Sequence, residues 1–143
     1  MTRKTQPTDR RTKNKANENA KATAGFDKAA DRRWGLRAET LCCWWLRAKA
    51  YRIMARNWRH KTGEIDIIAR RGRLLVFVEV KMRPTIGLAQ QAVSARQQTR
   101  ITAAAQRFVA ARPSLHRHQW RFDVMACAPG HWPKHIEDVW RAR

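Results

Sequence analysis

Acidic side chains are what this sequence most lacks. Its 143 residues hold 11 Asp and Glu against 31 Lys and Arg, a formal charge of +20. Such a field attracts polyanions, nucleic acid ahead of an anionic membrane surface, although high arginine usage throughout a proteome would also give a basic chain. Cysteine is scarce too: there are three, two of them adjacent (Cys42, Cys43, with Cys127 apart), and no Cys-x-x-Cys or Cys–His metal spacing. That argues against a disulfide scaffold and suits a reducing compartment. His116 and His118 make an isolated His-x-His that reads as a polar loop. No apolar run approaches the roughly 18 residues a bilayer-spanning helix needs. The first residues, "MTRKTQPTDRRTKNKANENAK", lack the apolar stretch of a secretory signal and include acids that a transit peptide avoids. The expectation is a cytoplasmic protein with no membrane association. Apolar residues still make up 43% of the chain, enough for a packed core.

Two textures divide the chain. Residues 1–33 carry little to bury and read as a disordered basic arm that could hold phosphates or merely aid solubility. Residues 34–143 read as one folded domain. Trp34, Ala38, Leu41, Trp45 and Ala48 form a helical stripe, with Glu39 flanking it. "YRIMA" alternates as a strand, and "RNWRHKTG" reads as a polar loop in which Trp58 could stack on a base. Ile65 to Ala69 and Leu74 to Val80 read as strands joined at Arg71-Gly72. "MRPTIG" then breaks the pattern. A second helix starts at Ser94, which has capping-box spacing to Gln97, and buries Ile101, Ala104, Ala105, Phe108 and Val109. "WRFDVMAC" and "HIEDVW" supply one or two further strands. The expected fold class is α/β, a mixed sheet covered by helices.

The few acids are not spread evenly. Glu64, Asp66 and Glu79 fall within "GEIDIIARRGRLLVFVEVK", among Ile, Val, Leu and Phe. In the second strand of that stretch, Leu75, Phe77, Glu79 and Lys81 point one way, while Leu74, Val76, Val78 and Val80 point the other. Both faces are apolar, which marks a central strand. With Arg71 and Gly72 as the central pair of a two-residue turn, Asp66 faces Phe77 and Glu64 faces Glu79. Glu64, Asp66, Glu79 and Lys81 then share one face. Like charges so placed need a reason: either they lie at a solvated sheet end beside Arg, or a hard divalent cation sits among them.

"GEID" followed by an apolar dozen and "VFVEVK" resembles the core of the restriction-endonuclease-like superfamily, with its Asp and Glu-x-Lys signature. More closely, the chain from about Trp34 onward resembles the YraN family, similar to archaeal Holliday-junction resolvases. The matching blocks are Gly35 with Glu39, "YRIMARNWR", "GEIDIIARRG", "LVFVEVKMR", "AVSARQQTRI" and "RFDV". The resemblance implies a restriction-endonuclease-like fold and a metal-dependent nuclease acting on structured or branched nucleic acid, DNA favoured over RNA. It implies Asp66, Glu79, the Val80 carbonyl and Glu39 as ligands of Mg2+, with Mn2+ an alternative. Lys81 would position or polarise the attacking water, giving a catalytic set of Asp66, Glu79, Lys81 and Glu39. A homodimer would suit a resolvase. Arg83, Arg96 and Arg100 are candidate nucleic-acid contacts, and Arg107 shares the helix stripe of the last two. Asp123 reads as structural. The chain departs from the pattern at Met82, at Ala38 in place of Gly, in a short segment from Arg83 to Gln91, and in having no basic residue at Gln97. The competing readings are a non-catalytic DNA- or RNA-binding protein on a nuclease fold, and a scaffold recruited by a protein partner.

Overall fold

The computed structural model describes residues 28–142, with side chains from residue 32 onward. Most of the expected basic arm, residues 1–27, therefore lies outside the described residues. The elements are α1 (Lys28–Ala48), β1 (Arg52–His60), β2 (Gly63–Arg71), β3 (Leu74–Met82), α2 (Ile86–Gln90), α3 (Ala95–Ala110), a 3-10 turn (Pro113–Leu115), β4 (Gln119–Cys127) and β5 (Lys134–Trp140). The strands form one five-stranded sheet in the order β1-β2-β3-β4-β5. Only the β3–β4 pair is parallel, and α2 and α3 make the crossover it requires. The mixed α/β architecture is the expected one.

β3 is the central strand, and its alternation divides the core. Val76 and Val78 pack with Ile67, Ala69, Met125 and the α1 residues Ala38, Cys42, Cys43 and Leu46. Leu75 and Phe77 pack with Ile68, Phe122 and the α3 residues Ile101, Ala104, Ala105, Phe108 and Val109. The apolar face of α3 is therefore the one its spacing predicts. Each fully buried Phe or Ile contributes roughly 1.5–3 kcal/mol relative to exposure, which fixes the helices on the two sides.

Three expectations need correction. α1 begins at Lys28, six residues before the expected Trp34, and its buried row is Ala38, Cys42, Cys43 and Leu46. Trp34 and Leu41 stay 49% and 37% exposed. The buried row is small enough for the helix to approach the sheet, whereas the expected stripe carries two indoles. α1 closes on a Schellman turn, with Ala50 N–H donating to Arg47 and Tyr51 N–H to Leu46.

The second correction concerns "RNWRHKTG", which is mostly the outer half of β1 and not a loop. Trp58 packs edge-on against Phe108 and stacks on His60, so its ring serves the core. β1 is an edge strand, and Arg52, Arg56 and Arg59 give it the charge that discourages edge-to-edge pairing. "MRPTIG" also holds more structure than expected: Thr85 caps the short helix α2 by accepting from Leu88 N–H.

The third is the hairpin register. Ile68 pairs with Phe77 and Arg71 with Leu74, so the two-residue loop is Gly72-Arg73. Gly72 takes φ +57°, supplying the positive φ at the first loop position, where such hairpins favour glycine. The ladder stops at Ile67–Val78, and Ile65 packs on the same side as Ile68, so strict alternation fails between them. β2 and β3 thus part at Asp66.

Candidate functional site

The parting of β2 and β3 decides where the acids go. The Asp66 carboxylate reaches across the gap and accepts a hydrogen bond from Val80 N–H at 2.8 Å, doing locally what a strand carbonyl does elsewhere. Glu79 points to the α3 side, where Lys81 Nζ lies 3.1 Å and Gln97 Nε2 lies 2.7 Å from the same oxygen, Oε1. Ser94 caps α3 by accepting from Gln97 N–H, as its spacing predicts. The Gln97 side chain, however, turns to Glu79 instead of back to the cap. Gly63 allows this closeness: a Cβ there would meet the Arg100 backbone oxygen at 2.5 Å.

Asp66, Glu79 and Gln97 face an open cleft of about 570 Å³, whose lining also includes Glu64, Ser94, Arg96, Arg100 and Ile101 but not Lys81. Arg96 and Arg100 are exposed at its rim, whereas Arg107 does not line it. Arg83 lies beyond β3, its backbone N–H on Cys127 and its guanidinium on the Met82 carbonyl. Glu64 pairs with Arg59 at 3.2 Å, an exposed contact of little energetic weight. Glu39 accepts a hydrogen bond from Asn57 at 2.8 Å, yet lies near enough for its charge to act on Asp66.

The acid pair is electrostatically short of partners. Burial, and then the charge of Glu79, push the Asp66 carboxyl up to about 8 despite the Val80 N–H. Burial also raises Glu79, against the opposing pull of Lys81. Burial thus favours the neutral form of both carboxyls, and Lys81 is the cation beside Glu79. Two carboxyls kept from full ionisation by burial are a donor set that a hard cation can use by displacing a proton. Among the described residues no three His, Cys, Asp or Glu converge. An ion here would rely on two carboxylates with water and ligand oxygens, which suits magnesium.

Spacing brought Asp66, Glu79 and Lys81 into one candidate set, and the structure does place them together. Gln97 was legible only as a helix cap. Its partner Glu79 lies 18 positions earlier, across the β3-to-α3 connection, where no local pattern reaches. Gly63 belonged to the "GEID" block, but its packing role needed the position of α3.

A helix-covered mixed sheet with an acidic pair and a lysine at a strand parting defines an α/β domain with the elements of an Asp, Glu-x-Lys site. Residues 38–127 match the model of the Uncharacterised protein family UPF0102, and the chain belongs to that family, which is the YraN family it resembles. A UPF0102 protein of Chelativorans sp. is 44% identical over 122 residues, covering 85% of this chain and 98% of its own. One from Bartonella tribocorum is 47% identical over 102 residues, covering 71% and 78%, and one from Nitrobacter winogradskyi is 48% identical over 102 residues, covering 71% and 86%. No helix among the described residues is long and apolar enough to cross a membrane.

Proposed function

We propose that this protein is a nuclease that hydrolyses phosphodiesters in structured or branched nucleic acid, DNA in preference to RNA, with Mg2+ or Mn2+ bound at Asp66 and Glu79. The observation that carries the reading is that Asp66, held by Val80 N–H, and Glu79, held by Lys81, line one cleft with arginines at its rim. A divalent ion, when bound, supplies the charge that polarises a phosphate and acidifies water. Lys81, 12% exposed and held on Glu79, puts a fixed cation where negative charge develops on the phosphoryl oxygens. Val80 N–H fixes Asp66 through Oδ2, and Asp66 lines the cleft. Glu39, hydrogen-bonded to Asn57, adds negative charge from α1, while the Val80 carbonyl is the remaining candidate ligand. Arg96 and Arg100 hold the backbone of the substrate without reading bases. Arg83 extends the same basic surface.

A panel of four-way junction, flap, duplex, single-stranded DNA and structured RNA, incubated with Mg2+ or Mn2+, tests this. The wild-type protein is compared with Glu79→Ala and Lys81→Ala. Metal-dependent cutting lost in both variants is the expected result. Tight, salt-sensitive binding without cutting would instead make this a nucleic-acid-binding module on a nuclease fold. Glu79 already bound by Lys81 and Gln97 is the observation that favours that second reading.

A further inference from the structure

A second reactive pair lies on the α1 side of the sheet and takes no part in the reading above. Cys42 of α1 and Cys127 at the end of β4 are 85 positions apart in sequence, yet their sulfurs are 3.5 Å apart. Both are free thiols. A disulfide has an S–S length of about 2.05 Å, so roughly 1.5 Å of side-chain adjustment closes the gap. Cys127 also lines a groove of about 330 Å³ with Trp34, Arg37, Leu41, Met82 and Trp132. Both sulfurs are buried, and that groove is the side from which a molecule the size of hydrogen peroxide would approach Cys127. Cys43, the third thiol, is buried in the same core cluster but is not hydrogen-bonded to either.

We propose that Cys42 and Cys127 are a modification site at which peroxide forms an intramolecular disulfide, stapling α1 to β4. In the first step the Cys127 thiolate attacks one peroxide oxygen. An S–O bond forms, the O–O bond breaks, and the departing hydroxide takes up a proton to become water. The Cys42 sulfur then attacks the sulfenic sulfur of Cys127. The S–S bond forms as the S–O bond breaks, and the hydroxyl leaves as water with the Cys42 proton. Two thiols are oxidised and one peroxide is reduced to two waters.

The order of attack follows from the local chemistry. The hydrogen bond shared with Cys42 holds the Cys127 thiol below the ordinary range against the opposing effect of burial. The same contact, followed by burial, pushes Cys42 well above it. Cys127, the sulfur on the groove side, is thus the first nucleophile and Cys42 the resolving thiol. The staple would act on the helix that carries Glu39, three residues before Cys42. It would also act on the strand residue paired with Met82, which follows Lys81.

Cys43→Ala leaves only these two thiols and supplies the test. Treated with hydrogen peroxide, the folded variant should form no disulfide between chains and should lose about 2 Da and both titratable thiols. Its melting temperature should rise by at least about 5 °C, and dithiothreitol should reverse every change. Tandem mass spectrometry of peroxide-treated wild-type protein gives the same answer should that variant fail to fold, as a linked Cys42–Cys127 peptide. Two unreacted thiols, a gain of about 32 Da from a sulfinic acid, or disulfide-linked dimers would each overturn the proposal. None of these readouts depends on nucleic-acid cleavage.

Discussion

Two buried carboxylate sites on one sheet are built in opposite ways. Asp123 on β4 is fully buried and surrounded by donors. Arg121 gives it two bonds of 2.8 Å, His135 Nε2 lies at 2.6 Å, and Asp138 N–H lies at 3.0 Å. Lys49 can only donate to His135 Nδ1, so Nε2 carries the proton that His135 gives to Asp123. Burial alone would raise Asp123, but these hydrogen bonds, led by His135 and Arg121, hold it below the usual carboxylate range. Asp66, also mostly enclosed, has one backbone donor and a like charge beside it, and goes the other way. The chain can thus satisfy a buried acid completely. At Asp66 and Glu79 it leaves the charge to be neutralised by a proton or by something that replaces one.

The largest expected effect breaks the satisfied side. Asp123→Ala leaves the Arg121 and His135 donors in a buried network without their acceptor. It should cost about 3–5 kcal/mol, measured by denaturant unfolding, which is a large part of a small domain's stability. A loss below about 1 kcal/mol would mean that Asp123 is not the centre of that network.

Asp66→Asn should act in the opposite direction. An amide can still accept from Val80 N–H and can donate to Glu79, while the like-charge contact disappears. In divalent-free buffer at pH 7 the variant should be more stable than wild type by about 1–3 kcal/mol, and cleavage should be lost. The pH dependence carries the same contrast. Asp66 binds its proton more tightly in the folded state, so its contribution is present below about pH 4 and is lost as pH rises toward about 8. Asp123 is held below its ordinary value, so its contribution is present above about pH 4 and is lost as pH falls further. The stability gap between Asp66→Asn and wild type should therefore widen from pH 4 to pH 8. A constant gap would show that the fold does not raise the Asp66 carboxyl.

The two sites were unequally legible in the sequence. Alternating Val, Leu and Phe in β3 put Glu79 and Lys81 on one face, because strand parity is a local property, whereas Asp66 reaches Val80 where the alternation of β2 fails. The register did not follow: the loop glycine lies at the first loop position, and the pairing moved by two residues without changing the parity of β3. The Asp123 network was legible only as one structural acid in "RFDV". Its partners come from the end of α1, from β4 itself and from β5, and only tertiary packing gathers them. The face of α1 was misjudged for a related reason. Hydrophobicity ranks Trp above Cys and Ala, whereas close approach to a sheet favours the smaller side chains.

The smallest expected effect sharpens the unsatisfied side, and it falls on Gln97. Lys81 and Gln97 both bind Glu79 Oε1, so a cation would be taken on Oε2. On that geometry Gln97 is a positioning residue, setting the rotation of the carboxylate without touching the ion. Gln97→Ala should weaken Mn2+ or Mg2+ binding about tenfold, the lower end for loss of a group that orients a ligand. Its effect on folding should stay within about 1 kcal/mol, because the Ser94 cap uses the backbone N–H at position 97 and survives the substitution. Gln97→Glu would place a third acid against the pair and push Asp66 and Glu79 higher still, while Gln97→Asn is too short to reach. Titration calorimetry of the three variants then separates orientation from charge. If Gln97→Ala instead binds the ion more tightly, Gln97 competes for the ligand oxygen, and the closed arrangement of Glu79 belongs to a protein that binds nucleic acid without cutting it.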